Sequence, residues 1–214
     1  MRRSRTFSTL STRRLEAFTD GVFAIAATLL VLDLTDHSLG GMGSDAQMWA
    51  ALSDMAPLFL NFALSFVLLC LLWLVHVRQF EYIERVDTVA IWLNNGRLLF
   101  VVLVPFATSL TTEYSDFVAG RLAMPLCFFF AILCSWIQWQ WMARRAEVML
   151  PSLSPAEAAA FGGGSLSALL ISAVVVVLAP WVGSWAFMLF VLDGPFTLVL
   201  RRRKLREADA APTA

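Results

Sequence analysis

Residues 14–34 read Arg14-Leu-Glu-Ala-Phe18-Thr19-Asp20-Gly-Val-Phe-Ala-Ile25-Ala-Ala-Thr28-Leu29-Leu-Val-Leu32-Asp33-Leu34, a polar entry followed by twelve uncharged residues between Asp20 and Asp33. With Phe18 and Thr19 before it and Leu34 after, the segment has about the length of one bilayer crossing. At 100° per residue its two sides differ. Phe18, Gly21, Ile25, Thr28, Leu29 and Leu32 share one side, and Phe23, Ala26, Ala27 and Leu30 occupy the other. The first side therefore carries small and polar breaks among its branched residues.

The rest of the chain is equally apolar. Of 214 residues, 59% are hydrophobic and 15% charged, and the mean hydropathy is +0.72. That leaves too little polar surface for a soluble domain, so the class expected is an all-α integral membrane protein in a lipid bilayer. Sixteen basic and sixteen acidic side chains cancel, and nothing selects a nucleic-acid partner. Cys70, Cys127 and Cys134 lie in apolar runs without a C-x-x-C pair, so they are expected to pack rather than to bridge.

Six spans are expected. After the first, the acidic, glycine-rich stretch from Asp33 to Asp54 reads as a water-exposed loop. Pro57–His76 forms the second span, about Ala90–Leu110 the third and about Phe117–Met142 the fourth. From Ala158 to Leu192 no residue is charged, which is too long for one crossing. Ala179-Pro-Trp-Val-Gly183-Ser184 reads as a turn dividing this run in two. The sixth span then continues through Asp193-Gly-Pro195 to Leu200, where Arg201, Arg202, Arg203, Lys204 and Arg206 stop it. The domain division is 1–13, a cytoplasmic N-terminal segment that is retained; 14–200, the transmembrane domain; and 201–214, a basic cytoplasmic tail.

Arginines gather before the first span and after the second, fourth and sixth, and only Arg121 falls near the opposite side. Both termini are therefore expected in the cytoplasm. Trp139 and Trp141 at one level, and Trp181 and Trp185 at the other, suit aromatic belts.

Ile25, Leu29 and Leu32 stand at i, i+4 and i+7, so in an oligomer they would form hydrophobic rings. On periodicity alone, ordinary helix packing explains that stripe better. Thr28 on its flank faces ions or bonds back to the carbonyl of Ala24. Arg14 and Asp20 lie about 240° apart around the helix and cannot pair, so each needs another partner or the headgroup region. His76 and Asn94 are candidates at the same level. Arg97 either snorkels to the interface or joins that group. His76 and His37 lie on opposite sides, and no Cys/His/Asp/Glu cluster has metal-ligand spacing. Asp193 reads as the cap of a last helical turn rather than as an ion-binding carboxylate. No nucleophile, base or metal set points to an enzyme.

The residues Arg14-Leu-Glu-Ala-Phe18-Thr19-Asp20 with the following apolar helix resemble the Arg-x-x-x-Phe-Ser-Asp signature of the transmembrane protein 175 family. These are endosomal and lysosomal potassium channels with bacterial homologues, and the one departure here is Thr19 for serine. Trp73-Leu-Val-His76, Leu93-Asn94 and Val104–Leu110 match in order, so the resemblance covers residues 14 to about 115. It implies a potassium-permeable cation channel with the first helix lining the pore of a homotetramer. Ile25, Leu29 and Leu32 would be its constriction and Thr28 would line the pore beside them. Arg14, Phe18, Thr19, Asp20, His76 and Asn94 would form the signature and a bracing polar network. Monovalent cations, K+ above all, would be the permeant species, with no cofactor. A bacterial plasma membrane is the expected location by analogy. A cation-coupled secondary transporter is the alternative, set back because only the sixth span is interrupted.

Overall fold

Inside a bilayer the backbone has no water to bond, so each apolar run closes its own hydrogen bonds as a helix. The computed structural model describes residues 10–35 and 40–192. Among these, α1 (Thr12–Leu29) is followed by a short α2 (Leu32–Thr35), α3 (Asp45–Asp54), α4 (Ala56–Phe80), α5 (Thr88–Glu113), α6 (Val118–Ala143), α7 (Ala146–Met149) and α8 (Pro155–Val182). A 3-10 helix, Gly183–Leu192, closes the described chain. Among the described residues five helical stretches are long and apolar enough to cross a membrane: Thr12–Thr35, Ala56–Phe80, Thr88–Glu113, Val118–Ala143 and Ala156–Phe190.

The last of these contains the expected division. α8 runs past Pro180 and ends at Val182, where Gly183 takes φ +58°, a conformation that glycine adopts without a Cβ penalty. The 3-10 helix beyond it packs back on α8 and α6, burying Ala186 and Phe187 with Val175 and Phe128. The rest of the sixth span, Asp193 and the basic tail included, lies outside the described residues, as do His37 and residues 1–9.

Helix starts follow local chemistry. Asp87 caps α5, its carboxylate accepting the Ala90 N–H at 2.8 Å. The same carboxylate takes Trp141 Nε1–H and an ion pair from Arg145 Nη1 at 2.9 Å, and the Arg145 guanidinium lies 3.7 Å over the Trp141 ring. Ser154 and Glu157 form a reciprocal capping box on α8. Leu10–Ser11 (β1) pairs antiparallel with Arg85–Val86 (β2), tying the start of α1 to the α4–α5 connection.

Helix packing in a bilayer has no hydrophobic drive and rests on close fit and interhelical hydrogen bonds. The α5–α6 pair shows both. The Thr111 hydroxyl donates to the Gly120 carbonyl at 2.9 Å and accepts the Met124 N–H at 3.2 Å, bridging α6 one turn before the buried Pro125. Ser65 on α4 meets Thr108 on α5 at 2.7 Å. The main core joins Phe23, Ala26 and Leu30 of α1 to Leu69, Val101, Val104, Met124 and Phe128.

Four expectations are corrected. The Asp33–Asp54 stretch is not loop throughout, because Ser44 caps the ten-residue α3 by accepting the Gln47 N–H. α1 stops at Leu29, with Leu30 and Val31 in a turn, rather than continuing to Leu34. Trp139 is no belt residue: it is fully buried and its Nε1–H donates to the Ala158 carbonyl at 3.0 Å, whereas Trp181 and Trp185 do stand exposed at the other end. Cys70 is exposed, although Cys127 packs in the interior as expected.

Two glycines on membrane helices are predicted to respond oppositely to alanine. A Cβ on Gly120 would collide with the Tyr114 carbonyl oxygen, whereas a Cβ on Gly21 would meet nothing within 4 Å. Gly120→Ala is expected to destabilise by about 1–3 kcal/mol. Gly21→Ala is expected to be neutral or to stabilise by up to about 1 kcal/mol. Thermal unfolding in detergent would rank the two, and a Gly120→Ala chain as stable as wild type would contradict the packing described.

Candidate functional site

α1 presents two unlike faces. Phe23, Ala26 and Leu30 are buried on the side of α4 and α5, while Ile25, Leu29 and Leu32 are 61%, 39% and 52% exposed. Gly21, Ala24 and Thr28 are exposed on the same outer side. The Thr28 hydroxyl donates to the Ile25 carbonyl at 2.9 Å, not to that of Ala24. That bond falls in the last turn of α1, just before the turn at Leu30, so Leu32 begins a new helix segment instead of continuing the stripe on one rod.

The edge of α1 is held by polar contacts. Thr19 is fully buried: its hydroxyl donates to the Leu15 carbonyl at 2.8 Å and accepts from Asn94 Nδ2 at 2.9 Å. The Asp20 carboxylate accepts Trp73 Nε1–H at 2.9 Å, and His76 Nε2 lies 4.0 Å from the same oxygen. One helix is thus joined to α4 and α5 at adjacent residues.

Arg97 organises the interior side of this cluster. It is 1% exposed, roughly 13 Å along α5 from its start at 1.5 Å per residue. Its Nη2 donates to Asn94 Oδ1 at 2.6 Å and contacts His76 Nδ1 at 2.7 Å, and its Nη1 donates to Gln79 Oε1 at 3.4 Å. Among the described residues no carboxylate lies within ion-pair distance of it. Gln79 Oε1 also accepts from Ser135 of α6 at 3.3 Å. The guanidinium therefore joins α4 to α5 directly, and α6 and α1 are tied in through Gln79 and Asn94.

A proton assignment follows. Guanidinium nitrogens only donate, so His76 Nδ1 must accept, and the imidazole is neutral with its proton on Nε2. That N–H is on the side of Asp20. Phe23 and Phe80 pack against the imidazole, with ring centroids 6.1 Å and 4.1 Å away. A neutral ring thus stands between the Arg97 guanidinium on one side and the carboxylate at the edge of α1 on the other.

Of the residues singled out in the sequence, Thr19, Asp20, His76 and Asn94 come together. Arg14 and Phe18 do not: both are exposed on α1, away from the cluster. Trp73, Gln79 and Ser135 were not named as network members. Trp73 lay in a stretch already singled out, and Asn94 with Arg97 at i, i+3 was a readable pair on one helix face. Gln79 and Ser135 gave no local signal. Among the described residues no three His, Cys, Asp or Glu side chains converge as a metal site.

A family model described as endosomal/lysosomal potassium channel TMEM175 matches residues 14–105. A Streptomyces collinus protein named as a potassium channel is 40% identical over 101 residues, which is 47% of this chain and 48% of that one. A Gallus gallus protein named as the endosomal/lysosomal proton channel TMEM175 is 38% identical over 112 residues, 50% of this chain and 22% of that one. The chain thus spans about half the length of the bacterial relative and less than a quarter of the bird protein. A crystal structure of a lysosomal potassium-selective channel TMEM175 homolog from Chamaesiphon minutus superposes with a TM-score of 0.61 at 29% identity. The match covers 87% of this chain and 97% of that one.

The cluster predicts an order of sensitivities. Asn94→Ala removes an acceptor from a buried guanidinium and the donor to Thr19 together, and is expected to cost about 2–4 kcal/mol. Trp73→Phe removes one hydrogen bond to a half-exposed carboxylate, and about 0.5–1.5 kcal/mol is expected. Unfolding midpoints in detergent test the ranking, and equal losses would contradict it.

Proposed function

We propose that this chain is a member of the TMEM175 family, whose model matches residues 14–105, and that it is one subunit of a passive, potassium-permeable cation channel. Four copies surround a central axis in a bacterial plasma membrane, both termini cytoplasmic, and α1 of each lines the pore. Ile25 and Leu29, with Leu32 below the turn, form the hydrophobic constriction, and Thr28 places a hydroxyl beside it. Monovalent cations, K+ above all, are the permeant species.

One observation carries this reading. α1 has its inner face buried and its edge bonded to two helices, yet leaves an outer line of small, branched and hydroxyl residues that nothing among the described residues covers. Gly21 supports it, because its open side serves no packing among the described residues. Exposed Leu and Ile alone would suit lipid equally well. A glycine, an alanine and a threonine in the same line suit a wall that water and ions approach.

A hydrophobic ring stops ions by dewetting and passes them only when wetted. No Thr-Val-Gly-Tyr-Gly loop occurs in the chain, so a filter of that carbonyl type is absent. Discrimination then comes from how much hydration each cation gives up at the ring, which favours K+ over the more tightly hydrated Na+ modestly. The Gallus gallus relative is named as a proton channel, and this favours a second reading in which protons also pass. The coupled-transporter alternative has less support, because these relatives are named as channels.

The test is the reversal potential of the purified protein in a planar bilayer with K+ on one side and Na+ on the other. A passive current reversing on the K+ side is expected, with Ile25→Ala raising conductance and lowering the K+ preference. A pH gradient in symmetric K+ reads any proton component. No current in wild type, together with saturable gradient-driven uptake in vesicles, would overturn the channel in favour of a transporter.

A further inference from the structure

The end of the bundle away from Asp20 and Arg97 holds a second feature. A cavity of about 400 Å3 opens there between the first turns of α4, the end of α5, the start of α6 and the bend at Gly183. Its size is that of a small-ligand pocket. Leu60, Leu64 and Met188 give it an apolar wall, and among the described residues Arg121 is the one charged side chain lining it.

Arg121 has no internal explanation. It is the basic residue that the clustering of arginines elsewhere leaves on the opposite side of the membrane. It is half-buried, its Nε is shielded from solvent, and its side chain makes no hydrogen bond or ion pair among the described residues. Glu113, the acid closing α5, is engaged with Ser109 at 3.3 Å instead. A planar fork of donors is left open beside hydrocarbon, and the group that satisfies it must be anionic and attached to an apolar body. Trp181 and Trp185, 75% and 72% exposed, line the same cavity. Exposed tryptophans of this kind mark the headgroup level of a bilayer.

We propose that this cavity binds the phosphate ester of a membrane phospholipid. The Arg121 guanidinium takes the phosphate oxygens in a fork, with the Ser115 side of the pocket beside it. The tryptophans flank the glycerol level. The first methylenes run along Leu60, Leu64 and Met188, with the rest of the chains in the bilayer. A bound lipid would close the seam between α4 and the bend after α8. The proposal rests on membrane insertion alone and does not depend on channel activity.

Native mass spectrometry of the full chain, titrated with phosphatidylglycerol and separately with inorganic phosphate, tests it beside Arg121→Gln and Trp185→Ala. Saturable lipid binding to wild type is expected, weakened about tenfold or more in Arg121→Gln, with no comparable binding of inorganic phosphate. Lipid held equally by Arg121→Gln would overturn the site. Inorganic phosphate bound alone, without lipid, would assign it to a free anion and overturn the lipid. Should Arg121→Gln fail to fold, Trp185→Ala decides, because that exposed side chain supports no buried packing. It must weaken lipid binding several-fold, and unchanged binding would equally overturn the proposal.

Discussion

A guanidinium that is 1% exposed inside a membrane bundle, with no carboxylate in contact among the described residues, constrains everything around it. Removing a charge from water costs several kcal/mol unless hydrogen bonds replace the lost hydration. Arg97 finds its acceptors on its own helix at Asn94 and across on α4 at His76 and Gln79. None of these can move far without leaving the charge exposed to hydrocarbon. The spacing of α4 and α5 is therefore set by Arg97 at this level.

That constraint reaches α1 by two routes. Asn94 accepts from Arg97 through its oxygen and donates to Thr19 through its nitrogen, so its amide orientation is fixed from both ends. His76 accepts from Arg97 at Nδ1 and so carries its proton on the side of Asp20. Thr19 and Asp20 are adjacent, and together with Phe23, Ala26 and Leu30 they decide which way α1 is turned. With that face and edge occupied, the remaining side of the helix is left outward by default. Rotation of α1 would break the cluster before it covered Ile25.

Much of this was legible locally. The 3.6-residue period sorted the two sides of α1, because a helix with one buried face shows it in sequence regardless of its neighbours. Hydropathy gave the spans for the same reason, and the uncharged run broke within the stretch read as a turn. What failed depended on residues far away in the chain. Trp139 lies near a helix end, as belt tryptophans do, yet its surroundings come from α8, where a Cβ on Gly162 would sit only 3.3 Å from its ring. The partners of Arg97 on α4 lie 18 and 21 residues before it, and no local pattern announces them. α3 had a readable start in Ser44 with Gln47 three residues on, but the glycines before it dominated the reading. The turn after Leu29 gave no signal, since Leu30 and Val31 continue the apolar run.

The central claim is that the face of α1 left free by the Arg97 cluster lines the conducting path. Cysteine accessibility tests this most directly. In a background with Cys70, Cys127 and Cys134 replaced, Ile25→Cys, Thr28→Cys, Phe23→Cys and Ala26→Cys would each be treated with a charged, water-soluble thiol reagent during current recording. The account predicts block at positions 25 and 28 and no effect at 23 and 26. Modification and block at 23 and 26, with 25 and 28 silent, would contradict it.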